Sequence, residues 1–344
     1  MPGHLQAWLL KAWMRRGIAA WMLRPVSWVF RGLLAARRAL YRAGWLAAPA
    51  LPVPVIVVGN VMVGGVGKTP LVITLVQQLQ SAGFQVGVVS RGYGRSTTAC
   101  VEVSPSSRPG DVGDEALLTR RKTGAPLFVA RNRPDAVLAL LAAYPATQVI
   151  VSDDGLQHLA LQRDIELCAF DDRGVGNGWL MPAGPLREPW PRRQCALPGR
   201  TRPLQFTVHT GEHPAFDGYQ AHRRLADFAL RADGSQVALD TLATDRSLTL
   251  VALAGIAQPE VFFQQLRARG LQLAETVALT DHYDFHSWKA NKDNARQLIC
   301  TEKDAVKLWH IDPQALAVPL AVTLDPQMMR QLIQCLRAKL SSTP

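Results

Sequence analysis

The stretch NVMVGGVGKTPLV, residues 60–72, decides how the fold is read. Its tail, Gly67-Lys68-Thr69, is how a phosphate-binding loop ends, but the pattern G-x-x-x-x-G-K-[ST] wants a first glycine where Met62 stands. Such a loop works because successive backbone N–H groups at a helix start converge on the β- and γ-phosphates of a nucleotide. Gly64, Gly65 and Gly67 supply a permissive backbone between Met62, Val63 and Val66. Lys68 then offers a point charge to the phosphates, and the Thr69 hydroxyl is placed to ligate Mg²⁺. Pro49, Pro52 and Pro54 introduce a β-branched run that reads as a buried parallel strand over 53–58, and a helix over 68–82 follows, closed by Gly83. Strand, loop and helix stand in the required order, so Met62 is read as a variant. Two other glycine-loop readings fail on single residues. A dinucleotide fingerprint starting at Gly65 needs glycine or alanine where Pro70 stands, and a partitioning-type loop needs lysine where Val63 stands.

Farther along, FQVGVVS (ending at Ser90), LFVA (127–130), TQVIVS (147–152) and DIELCAF (164–170) read as strands, with a helix near 134–143. This alternation predicts a P-loop-containing α/β fold, doubly wound on a mainly parallel sheet. Residues 171–245 are rich in Pro, Gly and Arg and show few elements. A fresh alternation begins at SLTLVALAGIA (247–257), followed by a helix near 259–269, a strand near 271–279, QLICT (297–301) and a last helix near 327–340. The expected organisation is an amphipathic helical segment (1–50), a nucleotide domain (51–245) and a smaller α/β domain (246–344).

Composition narrows the class. The chain has 344 residues, 48% of them hydrophobic and 19% charged, which suits a folded protein. Five scattered cysteines (Cys100, Cys168, Cys195, Cys300, Cys335) contain no C-x-x-C pair, the usage of a reducing compartment. The net charge of +11 is local: residues 1–101 carry eleven basic residues and no acid before Glu102, leaving 27 basic against 27 acidic groups beyond. No nucleic-acid-reading module accompanies that charge, so nucleic acid is not an expected partner.

The cationic end also holds Trp8, Trp13, Trp21, Trp28 and Trp45, five of nine tryptophans. Val29, Leu33, Ala36 and Leu40 fall on one helical face, with Arg31, Arg38 and Arg42 on the opposite one. Apolar and aromatic residues opposite arginines, without acids, describe a helix lying in an anionic membrane interface. No run of about 18 purely apolar residues occurs, so a spanning helix is not expected. An amphipathic helix packed on the protein's own core fits the same periodicity. The tryptophans and missing acids favour the membrane.

Three further stretches carry ionisable groups. VIVSDDGLQH (149–158) is an apolar strand ending in Asp153 and Asp154, the presentation of a Walker B acid beside a metal. GDVGDEALL (110–118) sets Asp114 and Glu115 at a helix start, where acids ordinarily complement the dipole. TDHYDFH (280–286) spaces His282 and His286 four apart, and TEKDAVKL (301–308) is a capping box from Thr301 to Asp304.

GNVMVGGVGKTP, SRGYGR (90–95), GDEALL, VSDDGLQH, AGIAQPEVFF (254–263), DHYDF and TEKDAVKL occur in one order behind a cationic amphipathic start. That ordered set resembles the tetraacyldisaccharide 4'-kinase (lipid A 4'-kinase) family from about residue 20 to the late 330s. The resemblance implies transfer of the γ-phosphate of ATP to the 4'-hydroxyl of an acylated glucosamine disaccharide 1-phosphate at the cytoplasmic face of the inner membrane. It implies that residues 62–69 hold ATP, and that Thr69, Asp153, Asp154 and Glu115 hold Mg²⁺. It further implies that Asp114 and His282 accept the hydroxyl proton, and that Arg91, Tyr93 and Arg95 face the acceptor. The alternative from another class is a membrane-recruited P-loop ATPase switch, which would turn over ATP without a glycolipid acceptor.

Overall fold

The computed structural model describes residues 12–46, 48–192, 202–285, 288 and 296–341, so Cys195 and His286 lie outside the described residues. The first complete helices among the described residues are α1 (Ile18–Met22) and α2 (Arg24–Arg42). Strand β1 (Val55–Gly59) is buried at every residue, as a β-branched run covered on both faces requires. The phosphate-loop stretch follows, and α3 (Lys68–Ser81) starts directly from it. Next come β2 (Val86–Ser90), β3 (Val101–Glu102), α4 (Pro109–Val112), α5 (Asp114–Thr123), β4 (Leu127–Val129), α6 (Arg133–Ala143), β5 (Val149–Asp153) and β6 (Ile165–Phe170).

The region expected to be poor in elements contains four strands, β7 (Leu204–His209), β8 (Tyr219–Leu225), β9 (Phe228–Leu230) and β10 (Gln236–Ala238), and helix α7 (Leu239–Thr244). The chain then runs through β11 (Thr249–Ala254), α8 (Pro259–Ala268), β12 (Leu273–Ala278), β13 (Arg296–Thr301), α9 (Glu302–Leu308), β14 (Leu316–Val318), β15 (Leu320–Leu324) and α10 (Pro326–Ser341).

Two sheets result. The first has the order β15-β8-β7-β6-β1-β5-β2-β4-β3, and the second β10-β9-β14-β13-β11-β12. Around β1 the first sheet is parallel, with Val58 in register with Asp153 of β5 and with Leu167 of β6. The chain crosses from β5 over β1 to β6, so the carboxyl end of β1 lies where such sheets bind ligands.

Sheet membership does not change over at residue 245. β9 and β10 belong to the second sheet, whereas β15 returns to the first by antiparallel pairing with β8. α10 follows it, burying Met328, Met329, Leu332 and Leu336 in the same core as Leu71, Val72 and Leu75 of α3. The core of the first sheet thus includes the last described helix, α10.

Candidate functional site

The loop after β1 is stapled by Asn60. Its side-chain amide donates to the carbonyls of Met62 (2.8 Å) and Gly64 (3.2 Å), and its Oδ1 accepts from Lys68 Nζ (2.9 Å). Gly64 and Gly67 take positive φ (98° and 74°), and Gly67 caps α3 from the left-handed region, where a side chain would be strained. Met62, only 1% exposed, pairs in an antiparallel bridge with Leu186 and packs beside Val61 and Leu180. The missing first glycine is therefore a core position that anchors the loop. A Cβ at Gly64 or Gly67 would meet the guanidinium groups of Arg173 and Arg223, so two more cations lie against the loop.

At the end of β5, Lys68 Nζ also meets Asp154 Oδ1 (3.0 Å), whose other oxygen lies 3.5 Å from Arg187. Burial works to raise the Asp154 carboxyl, but Lys68 and Arg187 hold it below the ordinary carboxylate range. Asp153 is different. Burial pushes it up to about 7, with Glu115 and Asp154 adding to the rise, and its buried Oδ1 has no hydrogen-bond partner among the described residues. A buried, anion-crowded carboxylate oxygen left without a partner, on the strand paired with β1 whose loop carries the buried Thr69, fits a divalent cation. Among the described residues no three His, Cys, Asp or Glu side chains form a metal cage. Mg²⁺ bound through one or two carboxylates plus substrate phosphates needs none. Arg133, 4% exposed, donates to the Asp154 carbonyl (3.3 Å) and counters both aspartates.

The second sheet supplies the facing groups. His282 Nδ1 lies 3.1 Å from Asp114 Oδ2, across 168 residues of chain. Lys307 Nζ lies 3.0 Å from the same oxygen, and the Glu115 N–H donates to Asp114 Oδ1 (2.9 Å). Against the effect of burial, the His282 hydrogen bond, Lys303 and Lys307 hold the Asp114 carboxyl well below its usual range. Burial lowers the His282 imidazole and Asp114 raises it, with a net rise. Lys303 reaches Glu115 (3.0 Å), Asp281 (2.9 Å) and His282 Nε2 (3.2 Å). Both lysines come from α9, whose start has half of the expected capping box: Thr301 Oγ1 accepts from the Asp304 N–H, but Asp304 Oδ2 accepts from the Gly255 N–H instead of reaching back to that of Thr301.

The chain matches the family described as Tetraacyldisaccharide-1-P 4'-kinase over residues 19–339. It belongs to this kinase family. The tetraacyldisaccharide 4'-kinase of Polaromonas naphthalenivorans (strain CJ2) is 54% identical over 340 residues, 98% of this chain and 96% of that protein. That of Herminiimonas arsenicoxydans is 45% identical, with 97% and 96% covered. The crystal structure of the "apo" form of LpxK from Aquifex aeolicus in complex with ATP aligns with a TM-score of 0.76. It is 26% identical, with 92% of this chain and 99% of that one covered.

Of the acceptor-facing residues expected in this kinase, Tyr93 is 63% exposed, with its ring 4.8 Å from that of His282. Arg91 is exposed, and its charge helps lower the pKa of Arg133 and of His158. Arg95 turns back to the carbonyls of Ala99 (2.7 Å) and Val129 (3.3 Å), holding its own turn. Next to them a cavity of about 350 Å³ is lined by Thr98, Cys100, Arg131, Asn132, Asp135 and His158, among others. Burial, then Arg133 and Arg163, push His158 down to about 4.

Sequence reasoning missed Asn60, Arg133, Arg187, Lys303 and Lys307. Only the lysines carried a signal, since positions four apart on a helix share a face.

On α1 and α2, Ile18 (82%), Val29 (65%), Leu33 (64%) and Trp28 (60%) are exposed, and Trp45 beyond them is 80% exposed. Arg31 and Arg42 are exposed as well. Arg38 is not a lipid-facing charge: it is paired with buried Glu188 at 2.6 Å. Among the described residues no helix is long and apolar enough to cross a membrane.

Proposed function

We propose that this chain transfers the γ-phosphate of ATP to the 4'-hydroxyl of tetraacyldisaccharide 1-phosphate. The observation that carries the reading is the meeting of Asp114, at the start of α5, with His282, in the turn after β12 of the second sheet. Phosphoryl transfer needs positioning, charge neutralisation and one group near the attacking hydroxyl. The loop N–H groups of residues 62–69 and Lys68 orient the phosphates. Thr69 and Asp153 are the residues that would hold Mg²⁺, which neutralises phosphate charge when bound, with the charges of Asp154 and Glu115 acting on Asp153. Asp114 and His282 act as one proton-accepting unit joined by a 3.1 Å contact, so a proton arriving at either is shared by the pair. Tyr93 and Arg91 face the incoming sugar. Because Asp114 follows the first sheet's loops and His282 the second sheet, approach of the two units assembles the site.

The exposed apolar face of α1 and α2, flanked by Arg31 and Arg42, supports peripheral binding to an anionic membrane surface at the cytoplasmic side of the inner membrane. The glycolipid acceptor would be met there. An assay with ATP and detergent-dispersed disaccharide 1-phosphate tests the reading. Product bearing a second phosphate is expected; ATP hydrolysis that ignores the acceptor would favour the switch instead.

A further inference from the structure

We propose that Arg38, on the interfacial helix, is a positioning residue of the phosphate loop. Its guanidinium seats Glu188, which seats Gln157, which fixes the Asn60 that holds Lys68. Each link is a direct contact. Arg38 Nη2 lies 2.6 Å from Glu188 Oε2, and Gln157 Nε2 donates to Glu188 Oε1 (2.8 Å) and to the Asn60 carbonyl (3.0 Å). Asn60 Oδ1 then accepts from Lys68 Nζ (2.9 Å). Glu188 and Asn60 are 3% and 1% exposed, so water does not readily replace a lost partner. Arg37, next along α2, donates to the Gln157 carbonyl (3.2 Å).

A backbone strut runs beside this relay. Residues 180–188 are gripped on one side by α2 and the turn before α1: Ser27 Oγ donates to the Leu180 carbonyl (2.8 Å) and accepts from the Ala183 N–H (3.0 Å), and Trp13 Nε1 donates to the Pro182 carbonyl (2.8 Å). On the other side they grip the loop. Val63 N–H donates to the Pro185 carbonyl (2.8 Å), Arg187 N–H to the Val61 carbonyl (2.7 Å), and Met62 bridges Leu186. The segment between the interfacial helices and the phosphate loop is thus tied to both. Glu188 also pairs with Arg192 Nε at 3.0 Å. Without Arg38 the carboxylate is drawn to that single cation, and the amide of Gln157 follows. The Asn60 staple then loses its register and Lys68 its place.

The inference rests on Lys68 serving the transferred phosphate. The test uses the full chain in neutral-detergent micelles at saturating acceptor, so recruitment by charge does not limit the rate. Arg38→Met should lower kcat by about 2- to 30-fold, the range for residues that couple sites without touching ligand, with KM for the acceptor unchanged. Arg38→Lys should recover part of the rate, which loss of folding alone would not explain once the folded fraction is measured. In a cycle with Gln157→Ala, the logarithmic losses should fall short of additive. Wild-type kcat in Arg38→Met, or additive losses in the cycle, would overturn the relay. Lys68→Ala is assayed alongside: if it alone is inactive, only the relay fails, whereas an active Lys68→Ala enzyme removes the reading beneath it.

Discussion

The sharpest perturbation is the pair Asp114→Asn and His282→Gln, singly and together. Asp114 is 5% exposed and accepts from the Glu115 N–H while facing His282 and Lys307. Leaving a buried ion unpaired costs about 3–5 kcal/mol. Here the cost should be lower, roughly 2–3 kcal/mol, because Lys307 keeps 13% of its side chain exposed and Lys303 retains Glu115 and Asp281. Asparagine keeps the acceptor for the Glu115 N–H, so most of that loss is electrostatic. Urea titration gives the folded fraction, and kcat per folded enzyme is then measured at saturating ATP and acceptor. Positioned proton acceptance contributes about 10²- to 10⁴-fold, so each single variant should lose that much. If the two residues form one unit, the double variant is no more than about threefold below the worse single one. KM for ATP should hold steady, since neither group belongs to the phosphate loop. Additive logarithmic losses, or a His282→Gln enzyme at wild-type kcat, would refute the unit.

Lys68→Ala should lower kcat by about 10²- to 10³-fold through lost charge stabilisation, while melting temperature changes little because Asp154 keeps Arg187. Arg31→Gln with Arg42→Gln should weaken binding to anionic vesicles by roughly 30-fold, about 1 kcal/mol per arginine, with the difference vanishing in high salt. Sedimentation with vesicles reads this directly, and unchanged binding would remove the electrostatic contribution. Met62→Gly restores the consensus spelling yet should cost about 3–5 kcal/mol of stability by urea titration, from the cavity and the added chain entropy. Tighter ATP binding in that variant would show that Met62 is a defect of the loop after all.

The first sheet's central strands were legible because they are local events: β-branched runs between turn residues, alternating with helical periodicity. The second sheet's membership was not. β9 and β10 are three-residue strands in a Pro, Gly and Arg-rich region, too short for a period of two to show. β15 was not among the expected strands, and its pairing with β8, some hundred residues earlier, is a property of the folded chain alone. The same limit applied to Arg38. Periodicity placed it correctly on the polar face of α2, but what a polar face meets is a separate question. Here it meets Glu188 in the protein, while the apolar face of that helix is left outward.

At the site, sequence exposed the groups whose chemistry is tied to a motif and hid those whose work is to hold others. Lys68, Thr69, Asp153 and Asp154 stand at the ends of elements that any reader of the sequence would draw. Asn60 stands there too, but an asparagine after a strand is an ordinary turn residue until its amide is seen bonding two loop carbonyls. The consensus first glycine and this Asn60 staple solve the same problem, which is to fix where the loop begins. A chain that starts its loop with a buried Met62 bridged to Leu186 and an internal amide staple has no need of a free backbone at that point. Departure from the motif is then tolerated wherever the departing residue has been given other work, and the glycines that cannot depart are those at positive φ, Gly64 and Gly67.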